Sequence, residues 1–117
     1  MTDLRDVLEG LRRHPGVEHV VVLGRDGLLV HHVGAATLDA DAVAAMVPQL
    51  VGAATDVGRA AGYGSGRTVV VELDRGVAIA LPLTGDTLLA VLLRAGVGFA
   101  PLLRELRAHR DAWAALV

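Results

Sequence analysis

Residues 67–93 read RTVVVELDRGVAIALPLTGDTLLAVLL and contain three apolar runs of strand length. Turn-type triplets separate the runs, DRG at 74–76 and TGD at 84–86, and connections this short join antiparallel neighbours. The second and third runs, residues 77–83 and 88–93, are apolar at both their odd and their even positions. Both faces of these strands should therefore be covered. The first run has one fully apolar face and predicts an edge strand. The stretch therefore predicts a three-stranded meander with helices above and below it.

The composition predicts one domain spanning residues 1–117, with a core built from aliphatic side chains. Hydrophobic residues make up 53% of the chain and aromatic residues only 3%. The net charge of −2 provides no basic surface, which argues against a nucleic-acid partner. The sequence has no apolar run of about 20 residues and no apolar signal core, so we expect a cytoplasmic protein without a membrane span.

Missing residue types limit the possible chemistry. The chain has no Lys and no Cys, and Ser65 is its single serine. Lysine-dependent phosphate sites, Schiff bases, cysteine redox chemistry and serine triads are therefore disfavoured. We expect no intrinsic catalysis, no cofactor and no bound metal.

Local signals predict the remaining elements. Asp3 caps a first helix with an apolar stripe at residues 4, 7, 8 and 11. Asp26-Gly27 joins two strands, residues 17–23 and 28–33, in a hairpin. Pro101 suits the first turn of a last helix, in which Trp113 is expected to anchor the core.

The longest helix is expected to begin at a cap on Asp39 or Asp41 and to end near Gly62. Pro48 predicts a bend, and Gly52 and Gly58 either permit a close approach or have no structural role. At about 100° per residue, one broad apolar arc contains Val43, Met46, Val47, Leu50, Val51, Ala54, Val57 and Ala61. An arc this wide suits contact with both a sheet and a second helix.

Three motifs have functional and structural interpretations. His31 and His32 point to opposite faces of a strand, which favours edge-strand histidines near solvent over a metal site. The glycine-rich segment 62–66 follows a helix and precedes a strand, which favours a flexible connector over a phosphate loop. Arg104, Arg107 and Arg110 form a stripe that is more typical of a solvated face than of a site for an acidic partner.

The order α-β-β-α-β-β-β-α resembles the Roadblock / dynein light-chain family, and in particular its bacterial MglB-type branch. The resemblance covers essentially the whole chain and rests on these motifs: Gly16-Val17, Asp26-Gly27, LLAVLL at 88–93 and Gly96-Val97-Gly98. The chain departs from the family pattern at Pro48 and at Ala100-Pro101. The resemblance implies a mixed α/β, profilin-like domain with a five-stranded antiparallel sheet. The strand order would be two, one, five, four, three, with the long helix on one face and the terminal helices on the other.

The resemblance also implies a function. Roadblock proteins are homodimers or heterodimers, and MglB-type members bind a Ras-like small GTPase of the MglA type and regulate its nucleotide cycle without a cofactor. They remodel the GTPase and donate no catalytic residue, so Arg59 is not assigned as an arginine finger. Two alternatives remain: a dimerisation scaffold without effect on GTP turnover, and a small-molecule or catalytic domain. The last would require an apolar pocket with convergent charged groups.

Two sets of residues are assigned to interfaces. The predicted homodimer interface pairs the central helices and the first meander strands, and comprises Val43, Val47, Leu50, Val51, Ala54, Thr68, Val70 and Glu72. The predicted GTPase-binding face is the opposite arc of the helix, and comprises Asp41, Ala45, Gln49, Gly52, Asp56 and Arg59. An ordinary solvent face rich in Ala and Gly would explain the second set equally well.

Overall fold

The elements follow the predicted order in the computed structural model, which describes residues 2–117. The helices are α1 (Leu4–Arg12), α2 (Ala40–Ala61) and α3 (Ala100–Ala114). The strands are β1 (Val17–Gly24), β2 (Leu29–Gly34), β3 (Val69–Leu73), β4 (Gly76–Pro82) and β5 (Thr87–Arg94).

The strands form one antiparallel sheet in the order β2-β1-β5-β4-β3, which confirms the predicted order. β5 joins the two halves of the sheet, since Val91 pairs with Val20 of β1 on one side and with Ile79 of β4 on the other. All three side chains are fully buried. β3 and β2 form the two edges, so the doubly apolar strands β4 and β5 lie inside, as predicted.

Two cores lie on opposite faces of the sheet. α1 and α3 cover one face, where Leu8, Leu11 and Leu106 pack against the sheet. α2 alone covers the other face through Ala44, Val47 and Val51. This arrangement of the helices confirms the prediction.

Side chains and glycines define the helix ends. Asp3 and Asp6 form a capping box at the start of α1. Asp39 accepts a hydrogen bond of 3.1 Å from the Ala42 amide and caps α2. Gly62 ends α2 in the left-handed conformation, with φ of 76°. α2 continues as one helix through Pro48.

The segment after α2 folds back onto the helix. The Tyr63 amide donates to the carbonyl of Gly58 at 2.7 Å, and the Gly66 amide donates to Thr55 Oγ1 at 3.0 Å. A Cβ atom at Gly58 would lie 1.9 Å from the Gly64 carbonyl oxygen, whereas one at Gly52 would meet nothing within 4 Å. Gly58 therefore permits a close approach of two backbone segments, and the glycine-rich segment is packed against α2.

Further contacts, besides the packing of Leu106, fix α3 to the rest of the domain. Trp113 is buried, as predicted. The His14 ring contacts the Glu105 carboxylate, and the Arg110 guanidinium donates to the carbonyl of Arg67. Arg104 and Arg107 remain exposed. None of the helices described here has the length and hydropathy needed to cross a membrane.

Candidate functional site

The central helix α2 presents two different flanks beside its buried, sheet-facing side. The apolar flank consists of Val43, Met46, Leu50 and Val57 and lies towards β3. The outer flank consists of the residues predicted to bind a GTPase, namely Asp41, Ala45, Gln49, Gly52, Asp56 and Arg59. At about 100° per residue, the two flanks lie on opposite sides of the sheet-facing side.

The apolar flank is unusually open for hydrophobic side chains. Met46 is 59% exposed and Val57 is 69% exposed. A groove of about 370 Å³ runs between this flank and the sheet, and apolar side chains including Met46, Leu50, Leu73 and Leu92 line it. A contiguous apolar groove on a small domain is typical of a protein-binding surface.

The groove borders the free edge strand β3. Leu73 is 59% exposed and also lines the groove. Val70 and Glu72 are exposed, while Thr68 lies half-buried just before the strand begins. An apolar flank and an unpaired strand edge therefore lie side by side on one surface of the molecule.

The residues of the predicted dimer interface differ in how much surface they expose. Val47 and Val51 are 5% and 1% exposed because they pack on the sheet of their own protomer, so they have almost no area left for a partner. Leu50 lies at the surface, and Val43 and Ala54 are half-buried. Those three residues, with the β3 residues, keep their assignment as a prediction.

Met46, Val57 and Leu73 are exposed residues of this surface that the sequence-based interface did not include. Met46 and Val57 belong to the predicted apolar arc, but they lie on the side of it that is farthest from Ala44. The sequence shows the width of the arc, but it does not show which part of the arc faces the sheet.

The outer flank is exposed and of low relief. Asp41, Gln49 and Arg59 are exposed, and Gly52 is half-buried with open space beyond it. The β1–β2 turn lies against this flank, since a Cβ atom at Gly27 would be 3.4 Å from the Ala45 Cα atom. Leu28, the next residue, is exposed and extends the surface beyond the helix.

A second depression, of about 670 Å³, carries charged groups. Glu18, His19, Glu72, Asp74 and Arg75 line it, together with apolar residues. The depression shares Leu73 and Leu92 with the apolar groove, so both open towards the region around β3. Acidic and basic groups are mixed here, and no group of three or more His, Cys, Asp or Glu with metal-site geometry occurs within residues 2–117.

Packing lowers the pKa of two side chains that lie outside α2, His19 and Arg110. Burial lowers the pKa of His19, and the neighbouring His32 lowers it further. Burial also lowers the pKa of Arg110, as does the nearby Arg67. His19 lies on β1 and Arg110 on α3, so neither of the groups with a lowered pKa belongs to the two flanks of α2.

Comparisons with known proteins agree with this architecture. The family model of the Roadblock/LC7 domain matches residues 3–93, which run from the α1 cap to β5 and leave α3 outside. A Roadblock/LC7 domain from Streptomyces avermitilis is 31% identical, with a TM-score of 0.82 over 95% of this chain and 94% of that chain. No curated protein sequence matched the chain.

More distant structures share the fold. MglB from Myxococcus xanthus is 13% identical, with a TM-score of 0.85 over 97% of this chain and 93% of that chain. MglC from the same organism is 20% identical, with a TM-score of 0.68 over 99% of this chain and all of that chain. Because the domain model covers most of the sequence and the Streptomyces domain matches along nearly its whole length, the chain belongs to the Roadblock/LC7 family.

Proposed function

We propose that this protein is a cytoplasmic homodimer that binds a Ras-like small GTPase of the MglA type and modulates its GTP hydrolysis without donating a catalytic residue. The observation that carries the proposal is the separation of two accessible flanks on α2. One flank is apolar and adjoins a free strand edge, while the other is exposed and carries polar and charged groups. The two flanks meet where the Gln49 amide nitrogen lies 3.7 Å from Met46 Sδ.

The apolar flank suits a second copy of the same chain. An unpaired edge rich in valine is prone to aggregation unless another strand covers it. Pairing β3 with its twin would satisfy the edge and bring the two apolar flanks together across a twofold axis. The exposed side chains of Met46, Leu50, Val57 and Leu73 would then be buried on both protomers.

The outer flank suits a different partner. In such a dimer the two outer flanks remain accessible, and the open space at Gly52 lets a rigid protein approach the helix. Asp41, Asp56 and Arg59 supply charges that steer and orient a partner. MglB structures share this fold. The partner class itself is taken from the resemblance to the MglB-type branch.

A binding and turnover assay with a Ras-like GTPase from the same organism tests the proposal. We expect wild-type protein to retain the GTPase loaded with a GTP analogue and to change its rate of GTP hydrolysis. Gly52→Arg and Asp56→Arg should weaken both effects while light scattering still shows a dimer, because both residues lie outside the apolar flank. If both variants act like wild type, the outer flank is not the site, and the α3 face with Arg104 and Arg107 becomes the candidate.

A scaffold without effect on turnover is the alternative function. The exposed apolar flank supports a scaffold as well as it supports a GTPase regulator, since dimerisation alone accounts for that surface. The same assay separates the two functions: a scaffold retains the GTPase, or another protein, and leaves its hydrolysis rate unchanged.

The absence of cysteine in the chain permits a direct test of the dimer geometry. Val70→Cys would place one thiol per protomer on β3 and should give a disulfide-linked dimer under mild oxidation. Val30→Cys, on the opposite edge strand β2, is a matched control and should stay uncrosslinked. Efficient crosslinking through Val30 and none through Val70 would contradict pairing through β3.

A further inference from the structure

Two histidines that are 13 residues apart in the sequence meet on the first hairpin. His19 on β1 and His32 on β2 have their Nδ1 and Nε2 atoms 3.1 Å apart. The ring centroids are 5.3 Å apart with a 37° interplanar angle, and both rings are half-buried. His32 pairs in register with Val21, so both imidazoles lie on the α2 face of the sheet.

Gly34 makes room for this contact. Gly34 lies opposite His19 in the β1–β2 register, and its backbone has φ of 145°. A Cβ atom at this position would overlap the ring of His19 at Nδ1. The missing side chain therefore allows the His19 ring to lie across the strand and reach His32.

We propose that His19 and His32 form a bidentate binding site for a divalent late transition-metal ion, with Zn²⁺ as the best match. Imidazole nitrogens bind zinc at about 2.0–2.1 Å. With the two nitrogens 3.1 Å apart and bonds of this length, the nitrogen–metal–nitrogen angle would be about 98°. This value lies between those of octahedral and tetrahedral coordination. Two imidazole ligands favour zinc, nickel or copper over magnesium or calcium, which prefer oxygen.

The arrangement of the rings suits ligation. A metal ion binds an unprotonated imidazole nitrogen, and each of the two rings directs one nitrogen at the other. Since the described residues contain no group of three or more candidate ligands, water would complete the coordination. The site would be open and exchangeable, unlike a closed structural zinc site.

This proposal replaces the expectation of no bound metal. That expectation considered His31 and His32, which cannot share an ion because they point to opposite faces. The partner of His32 is His19, and a register shift between Val22 and Leu23 makes this pairing hard to predict from the sequence of the hairpin.

Calorimetric titration of the metal-free protein with ZnCl₂ at neutral pH tests the site. We expect wild type to bind one Zn²⁺ per chain, and His19→Gln and His32→Gln to lose that binding. His31→Gln is the matched control, since it removes the adjacent imidazole on the other face, and it should bind like wild type. The proposal is overturned if wild type takes up no zinc, or if all three variants lose binding equally.

Nuclear magnetic resonance of the wild-type imidazole nitrogens provides a second measurement that does not depend on the folding of a variant. Zinc should shift Nδ1 of His19 and Nε2 of His32, the two atoms in contact, and leave the His31 ring unchanged. Zinc-induced shifts confined to His14 or His109 would show that the ion binds elsewhere and would refute the site.

Discussion

Two glycines of α2 have opposite structural roles. The backbone of the following loop passes so close to Gly58 that a Cβ atom there would overlap the Gly64 carbonyl oxygen, whereas Gly52 faces open space. Both glycines carry the same intrinsic cost in a helix, which is ~1 kcal/mol relative to alanine. Only Gly58 offsets that cost, through the packing of the loop.

The two alanine substitutions should therefore change stability in opposite directions. We expect Gly58→Ala to lower the free energy of unfolding by about 1–3 kcal/mol, because the loop must move away from the helix. Gly52→Ala should raise it by about 0.4–1 kcal/mol, because it removes freedom from the unfolded chain without a clash. Chemical denaturation of both variants measures the difference, and equal effects would contradict the loop contact.

Within the helix α2, neighbouring positions have opposite surroundings. Met46 is 59% exposed on the apolar flank, whereas Val47 is 5% exposed against the sheet. A charge at either position removes apolar contacts, but only the charge at 47 is forced into a dry interior.

Met46→Asp and Val47→Asp should consequently have different effects, the first on dimerisation and the second on folding. We expect Met46→Asp to produce a folded monomer, since the carboxylate disfavours only the proposed contact between protomers. Val47→Asp should unfold the chain, since a buried unpaired charge costs several kcal/mol against a net stability of about 5–15 kcal/mol. Circular dichroism together with light scattering distinguishes the outcomes, and a folded dimer of Met46→Asp would exclude this flank from the interface.

α3 lies outside the matched family domain, yet it covers one core. Leu106 is fully buried there, while Leu103 on the same helix is only half-buried. We expect Leu106→Ala to destabilise the protein by about 2–5 kcal/mol, and Leu103→Ala to cost clearly less. Thermal unfolding measures both, and similar losses would show that α3 packs differently.

Local sequence signals predicted most of the elements, and contacts between elements account for what was missed. Asp3, Gly62 and the apolar runs of β4 and β5 act through their immediate neighbours, so the helix ends and the central strands could be predicted. The burial of Val47, the Gly58–Gly64 contact and the His19–His32 pair each depend on how two segments meet. Periodicity gives the faces of an element, but it does not give the rotation of that element against its neighbour.

At the scale of the whole molecule, the two edge strands of the sheet are expected to respond differently to dimerisation. Within residues 2–117, the outward-pointing amides of β3 have no partner strand, and neither do those of β2. If a second copy pairs with β3, only that edge gains hydrogen bonds on association.

Hydrogen exchange should show this asymmetry. We expect protection of the β3 amides to increase with protein concentration, because dimerisation covers them. The β2 amides provide the internal control and should exchange at a rate independent of concentration. A concentration dependence at β2, or none at β3, would place the contact between protomers elsewhere.

The position of β5 in the sheet has a consequence for synthesis of the protein. β5 is synthesised after the other four strands of this sheet, yet it lies between β1 and β4, and Val20 has no partner on that side until Val91 has been made. Pairings between such distant segments form slowly, and apolar strands that stay unpaired meanwhile tend to aggregate. Until residues 87–94 emerge, the nascent chain has two separate hairpins, β1–β2 and β3–β4, with no strand to join them. Translation halted before β5 would therefore release two unfinished half-sheets.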